Sequence, residues 1–324
     1  MIKNIGVFKD IDNSIKCVYE NDDKNIIEMT QLFNKKDIDV VCVSTHHYCN
    51  LGCKMCHLTN IGSNKKMIPN NIDDFIYSLK STLRDKKNIK RTNNRKLLIS
   101  FMGVGEPLLN LKLLRDLFEV EKELKKELEY DYISYALSTM MPYDNIDELI
   151  KIVEYYEVSL KIHFSLHNPF DSKRLELIPS SSVSIKDALS ILTKYNNKIK
   201  NNKKIMNIYN KFHSLDELIE IHYTLIKDIN DSNCCLKELI YLLECFPMTI
   251  KFIRFNEVND MKRSDKEDLF VNILSRLDYV RVKRYTPPGK NIGSSCGEFT
   301  KYYYSDNTND IDFNLWKNTY EIFE

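Results

Sequence analysis

The run Val41-Cys42-Val43-Ser44-Thr45-His46-His47-Tyr48-Cys49-Asn50-Leu51-Gly52-Cys53-Lys54-Met55-Cys56 leads an apolar strand into a loop carrying cysteines at Cys49, Cys53 and Cys56. The spacing is C-x3-C-x2-C. A loop this short can aim three thiolates at three irons of one cubane cluster, leaving the fourth iron to a ligand the protein does not supply. Iron–sulfur clusters are ordinarily held by four cysteines, so three close ones imply a non-protein fourth ligand. Zinc is the competing reading. Zinc sites pair a short C-x2-C or C-x4-C half-site with a second half-site, and the sequence offers no second C-x2-C pair.

Working outward, 324 residues at 43% hydrophobic content can bury one sizeable core. No apolar run approaches the roughly 20 residues needed to span a bilayer. The opening MIKNIGVFKDIDNSIK has the character of neither a signal peptide nor a transit peptide. Nine cysteines are few for a disulfide scaffold, and a labile cluster suits a reducing compartment, so the cytoplasm is the expected location. Net charge is only +1, which gives no global attraction to nucleic acid. Two segments stand out locally. Residues 84–96 carry seven basic residues and one acid, and residues 194–211 carry six basic residues and no acid. Each is read as a solvated loop or an RNA-contacting segment.

Strand-like runs fall at Asp39–Ser44, Leu97–Gly103, Ile133–Thr139, Ser159–Leu166, Glu220–Ile226 and Thr249–Asn256, with a seventh at Tyr279–Thr286. Helical patterns at 72–84, 110–130, 144–156, 184–195 and 234–246 separate them. Such alternation predicts a parallel sheet wrapped as a full or partial barrel. Small or polar residues close several strands: Ser44, Gly103 to Glu106, Ser138, Ser165 to His167, and Asn256. Barrel active sites lie at the C-terminal strand ends, so these residues are coherent with one site. Residues 3–32 read as short strands around the Asp12-Asn13 turn.

The second strand ends in Gly103-Val104-Gly105-Glu106-Pro107. Glycines let the backbone approach a ligand without a Cβ in the way, and Glu106 offers an acceptor for an ammonium group. Together with the cysteine loop, this stretch resembles the radical S-adenosylmethionine (SAM) enzymes. The resemblance implies a partial (β/α)6 TIM-like barrel, one 4Fe-4S cluster on Cys49, Cys53 and Cys56, and SAM as the ligand of the open iron. Reductive cleavage of SAM then starts radical chemistry.

The resemblance narrows along the chain. Phe101 to Asn110, Ser165-Leu166-His167 with Asp171 and Pro179, and Leu225 to Asp231 resemble the dual-specificity RNA adenine methyltransferases (RlmN/Cfr-like). Gly105, Glu106, Ser138, Ser165, Leu166, His167 and Asn256 correspond to SAM-contacting positions of that family. Cys42, seven residues before Cys49, and Cys296, in Ser295-Cys296-Gly297, match its catalytic pair. The resemblance implies a two-SAM mechanism. The Cys296 thiolate takes a methyl group from one SAM, and a second SAM supplies the radical that activates it toward adenine. Cys42 then resolves the protein–RNA adduct as a Cys42–Cys296 disulfide. Carbon 2 of the adenine is preferred to carbon 8, in ribosomal or transfer RNA, with a flavodoxin-type electron donor and a monomeric enzyme expected.

Departures from the family are also legible. Met55 stands where an aromatic residue is usual, and Pro288-Gly289-Lys290-Asn291-Ile292 replaces an acidic run ahead of Cys296. The expected organisation is a β-extension over 1–36, a radical SAM barrel with the Cys296 loop over 37–300, and a tail over 301–324. Most of the family's helical N-terminal domain is expected to be lacking ahead of Cys42. Two alternatives follow: a radical SAM enzyme acting on a peptide or small molecule, or a non-catalytic RNA-binding homologue. Tyr302 to Tyr304 are read as packing against the barrel, with base stacking as the functional alternative.

Overall fold

In the computed structural model, alternating β-branched runs and amphipathic segments build one ten-stranded sheet in which every strand lies beside its sequence neighbours. Residues 2–33, 35, 37–59, 67–84, 94–214, 217–288 and 300 are described. β1 (Lys3–Lys9), β2 (Ile15–Glu20) and β3 (Ile26–Leu32) form an antiparallel meander that joins β4 (Ile38–Val43) in the same sense. Every later pairing is parallel. It runs through β5 (Lys96–Phe101), β6 (Tyr132–Thr139), β7 (Leu160–Ser165), β8 (Ile219–Tyr223), β9 (Thr249–Ile253) and β10 (Val282–Tyr285). The sheet does not close. It is a partial (β/α)6 barrel with β10 as a seventh parallel strand, as the strand pattern predicts.

The crossovers carry α1 (Ile72–Arg84), α2 (Leu111–Glu119), α3 (Glu121–Glu127), α4 (Ile146–Tyr156), α5 (Asp171–Leu177), α6 (Ile185–Lys200), α7 (Lys203–Phe212), α8 (Asn233–Cys245) and α9 (Glu267–Leu274). The side chain of Asn110 caps α2 by accepting from the Leu113 N–H at 3.2 Å, and Leu113, Leu114, Leu117 and Phe118 turn inward. Between helices and sheet runs an aromatic seam. Phe75 of α1 stacks on Phe101 of β5 at 6.0 Å, Phe101 on Tyr135 of β6 at 6.4 Å, and Phe118 tilts against Tyr135 at 4.7 Å. Burying each such ring stabilises the fold by roughly 1.5–3 kcal/mol.

Two expectations are corrected. The helix foreseen over 110–130 divides at Val120, which ends α2 and precedes α3. Residues 194–211 are not a loop. They form the end of α6, a turn at Asn201-Asn202, and α7, where the Asn202 side chain accepts from the Lys204 and Ile205 N–H groups. Tyr195, Ile199, Ile205, Met206, Tyr209 and Phe212 bury one face. Much of the basic face is paired: Lys194 with Asp147 at 2.7 Å, Lys204 with Glu157 at 2.7 Å, and Lys198 with Glu154 at 3.5 Å. Most of segment 84–96 lies outside the described residues.

Candidate active site

The cysteine loop leaves β4 clamped against the loop that follows β5. Ser44 Oγ donates to the Glu28 carbonyl and accepts from the Val104 N–H, both at 3.0 Å, while the Thr45 and His46 N–H groups donate to the Val104 carbonyl. The clamp explains the glycines. A Cβ on Gly103 would lie 2.6 Å from the Val43 carbonyl oxygen, and one on Gly105 would strike Thr45 and His46. Gly105 also has φ +107°, where side chains are strained.

Further along, Ser180 Oγ donates to the Leu51 carbonyl at 2.8 Å and the Lys54 N–H to the Leu177 carbonyl at 2.9 Å, fixing the loop to the end of α5. Cys49, Cys53 and Cys56 are half-buried and line one cavity of about 590 Å³. Cys53 packs with Leu51, Met55 and Met140, and Cys49 and Cys56 with Tyr48, Leu58 and Val104. Burial pushes the Cys49 thiol up to about 12 and the Cys53 thiol well above its ordinary range, with the neighbouring thiols adding to both. The three sulfurs thus feel one another, yet they are not gathered within 4.8 Å as the ligand atoms of His163, Glu220 and His222 are. Three half-buried thiols that line one cavity and raise one another's pKa fit the ligand set of a shared cluster.

Glu106 is buried behind the loop. Its Oε1 accepts from the Leu108 N–H and its Oε2 from the Met140 N–H, each at 3.1 Å. Burial still pushes its pKa up to about 7, so an incoming cation stabilises its ionised form. Beside it, Ser138 and Ser165 join Oγ to Oγ at 3.0 Å across β6 and β7. His167 adopts φ +53° and accepts at Nδ1 from the Thr224 N–H at 3.1 Å, which leaves its proton on Nε2. Burial pushes its pKa down to about 3, so the ring is neutral. Asn256 completes the wall beyond β9. Leu166 departs from the set: its side chain is fully buried in the core, and its N–H donates to the Phe164 and His222 carbonyls. Its carbonyl in turn accepts from the Asn168 N–H at 2.7 Å and from Arg174 Nε at 3.2 Å, so Leu166 supports the site rather than lining the cavity.

Cys42 also lines this cavity, half-buried on β4 opposite Thr30 and Ser100. Cys296 lies outside the described residues, as do Gly289 to Ile292 and Tyr302 to Tyr304. Thr300, just past Cys296, is described and is held by Glu28 of β3.

Two groups of residues escaped the sequence reading. Arg174 of α5 is 2% exposed and donates to the carbonyls of Leu166 (3.2 Å), Met140 (2.8 Å) and Ser165 (3.0 Å), and to Ser181 Oγ. It lies over the Phe164 ring at 5.0 Å and stitches together the ends of β6 and β7. The second group lines the barrel lumen: Lys161 and His163 of β7, Glu220 and His222 of β8, Lys251 of β9 and Lys283 of β10. A signal was present, since polar residues recur at every second position of otherwise apolar strands.

With the geometry established, the class follows. The family model of the radical SAM superfamily matches residues 43–232, more than half of the chain, and the chain belongs to that superfamily. Its cofactors are a 4Fe-4S cluster and SAM. Among curated proteins it is similar to the probable dual-specificity RNA methyltransferase RlmN of Chlorobium phaeobacteroides, at 27% identity over 299 residues, covering 90% of this chain and 75% of that protein. A protein of the same description from Clostridium botulinum (strain Alaska E43) is 28% identical over 303 residues, covering 91% and 77%. The dual-specificity RNA methyltransferase RlmN of Buchnera aphidicola subsp. Schizaphis graminum is 28% identical over 284 residues, covering 86% and 71%. A solved radical SAM methyltransferase from Sphaerobacter thermophilus shares the fold, with a TM-score of 0.71 at 22% identity over 92% of this chain and 80% of that one. Among the described residues no helix is long and apolar enough to cross a membrane.

Proposed function

We propose that this chain methylates a ring carbon of adenine in ribosomal or transfer RNA, carbon 2 in preference to carbon 8. Similarity to RlmN proteins over most of the chain supports the reaction class. The observation that carries the reading is that Cys42 shares one cavity with Cys49, Cys53, Cys56 and Glu106. A second thiol beside a cluster loop has no use in SAM cleavage alone, but a resolving thiol must be there.

When bound, the cluster and SAM supply a radical able to abstract hydrogen from a methyl group. The chain's own residues do the rest. Cys49, Cys53 and Cys56 hold the cluster, and Glu106, its oxygens already anchored by backbone N–H groups, accepts the SAM ammonium. Ser138, Ser165, His167, Asn256 and the backbone at Gly105 form the remaining SAM contacts. The Cys296 thiolate accepts a methyl group by displacement and presents it to the adenine. That carbon, having lost one hydrogen to the radical, bonds the adenine ring, and the ring carbon gives up its own hydrogen as a proton and one electron that returns to the donor system. Cys42 then attacks the Cys296 sulfur, breaking its bond to the new methylene carbon; a disulfide forms, and the methylene takes up a proton to free the methylated base. Thiol exchange of this kind depends on ionisation and access, and Cys42 has access from the cavity. The target base must be unpaired or flipped to enter the barrel. The enzyme acts as a cytoplasmic monomer reduced by a flavodoxin-type donor.

The test is nucleoside mass spectrometry of RNA incubated anaerobically with cluster-loaded protein, reductant and SAM. Methylated adenosine, with its retention separating carbon 2 from carbon 8, is expected. SAM cleavage without any methylated nucleoside contradicts the reading.

A further inference from the structure

The lower half of the barrel lumen has a charge problem. Lys161, Glu220 and Lys283 each sit at the second position of their strands, at the N-terminal end of the barrel and opposite the cysteine loop. They line the same cavity. Glu220 is 1% exposed and bonds Lys161 at 2.7 Å, Lys251 at 2.5 Å, and Lys283. One carboxylate therefore serves three ammonium groups. Lys35, an exposed residue, lines the same cavity and is close enough to feel Lys251, Glu220 and Lys283. A second acid, Glu217, contacts Lys283 at 3.9 Å but is engaged by Arg281 at 3.0 Å. A surplus of cations remains, and buried charge is costly unless countered.

The histidines point the same way. Burial pushes the pKa of His163 down to about 3 and that of His222 well below its ordinary value, so both rings are neutral. They pack ring to ring at 4.3 Å. His222 is 7% exposed, and its Nε2 finds no hydrogen-bond partner among the described residues. His163 Nδ1 lies 3.2 Å from Glu220 Oε2 without the alignment of a hydrogen bond. The His163–Glu220–His222 ligand atoms are close enough to hold a metal ion. A divalent cation there would face the ammonium groups that surround Glu220, whereas an anion would neutralise them and give the free imidazole nitrogens a partner.

We propose that this lower lumen is a phosphate-binding site, in which Lys161, Lys251 and Lys283 supply ammonium donors and His163 and His222 supply imidazole N–H groups. The phosphate is carried either by the backbone of the RNA substrate or by a free phosphorylated small molecule. Assignment to RNA rests on the methylation reading above; the site itself does not.

The experiment titrates inorganic phosphate into the full-length protein at low ionic strength, following phosphorus NMR line broadening, with Zn²⁺ titrated separately. Wild type should bind phosphate, Lys251→Gln should weaken it about tenfold or more, and Lys251→Arg should retain it. Glu220→Gln, which removes the competing carboxylate, should tighten it. Lys283→Gln, at a more exposed position, gives the same readout if Lys251→Gln fails to fold. Absence of phosphate binding by wild type, or Zn²⁺ binding that His222→Gln abolishes, overturns the proposal. An RNA hairpin arm separates the sources. Loss of about 0.7–0.9 from the salt slope of RNA affinity in Lys251→Gln assigns the site to the RNA backbone. An unchanged slope with lost phosphate binding assigns it to a free phosphorylated ligand. If wild type neither binds nor methylates RNA yet binds phosphate, the methylation reading fails and the site stands.

Discussion

Glu28 on β3 accepts both the backbone N–H and the side-chain hydroxyl of Thr300, 272 residues further along the chain. The same carboxylate pairs with Lys16 at 2.6 Å, with side chains 5% and 1% exposed. Thr30, two residues on from Glu28, lies opposite Cys42 in the β3–β4 register. The N-terminal meander thus holds Thr300 close to the strand bearing Cys42.

Replacing Glu28 with Ala strips a buried ammonium of that carboxylate and should destabilise the fold by about 3–5 kcal/mol, read by urea unfolding. Glu28→Gln keeps an acceptor for Thr300 and should cost less. If the tether positions Cys296, Glu28→Gln should slow methyl transfer several-fold more than it slows SAM cleavage. Equal slowing of both contradicts the positioning role.

Gly103→Ala and Gly105→Ala should fail for different reasons. The Gly103 Cβ meets the Val43 carbonyl, a backbone atom that cannot swing aside, so the β4–β5 clamp must open. At Gly105 the side chains of Thr45 and His46 must move and φ +107° must be strained, at a cost of about 1–3 kcal/mol. Both variants should lose SAM affinity in equilibrium dialysis. Retained affinity in Gly103→Ala would sink this account of the loop.

Arg174 holds three carbonyls with the fixed fork of one guanidinium, a geometry an ammonium does not offer. Arg174→Lys should therefore not rescue Arg174→Met. Each should lose about 3 kcal/mol or more in denaturant melts and weaken SAM binding through the displaced ends of β6 and β7. Full stability in the Lys variant would show that charge alone suffices.

Acid should unfold this protein early. Burial holds His46 neutral with a pKa of about 4, and His163 and His167 near 3, against an ordinary value near 6.5. Below about pH 6.5 the unfolded chain binds protons that these folded rings refuse, so stability falls as pH drops toward 3, by about 1.4 kcal/mol per pKa unit and group. Burial raises the Glu220 carboxyl, but Lys251 and Lys161 beside it hold it below the usual carboxylate range, so it adds loss in the same direction. Urea midpoints at about pH 7.5 and about pH 5 should differ clearly. His163→Gln should shrink the difference.

Much of this was legible beforehand because it is local. Among the described residues all seven parallel strands fall within a few residues of where the strand-like runs place them, and Cys49 to Cys56 and Gly103 to Glu106, singled out by spacing, line one cavity. What the sequence hid is relational. Basic residues at 194–211 read as a loop because the Asn-rich composition masked the apolar spacing of Tyr195, Ile199, Ile205 and Tyr209. Arg174 looks like an ordinary helix residue until α5 is folded against the strand ends. The lumen charges were visible as alternation in β7 and β8, but their convergence on Glu220 requires the barrel to curl. Glu28 and Thr300 could not be joined by any local pattern.

The measurement closest to the central claim uses Cys42→Ala protein, loaded anaerobically with cluster, SAM, reductant and RNA, and digested for peptide mass spectrometry. The account predicts a nucleotide joined through one methylene carbon to the Cys296 peptide, accumulating because Cys42 is absent to resolve it. A Cys296 peptide that stays unmodified while SAM is cleaved would contradict it.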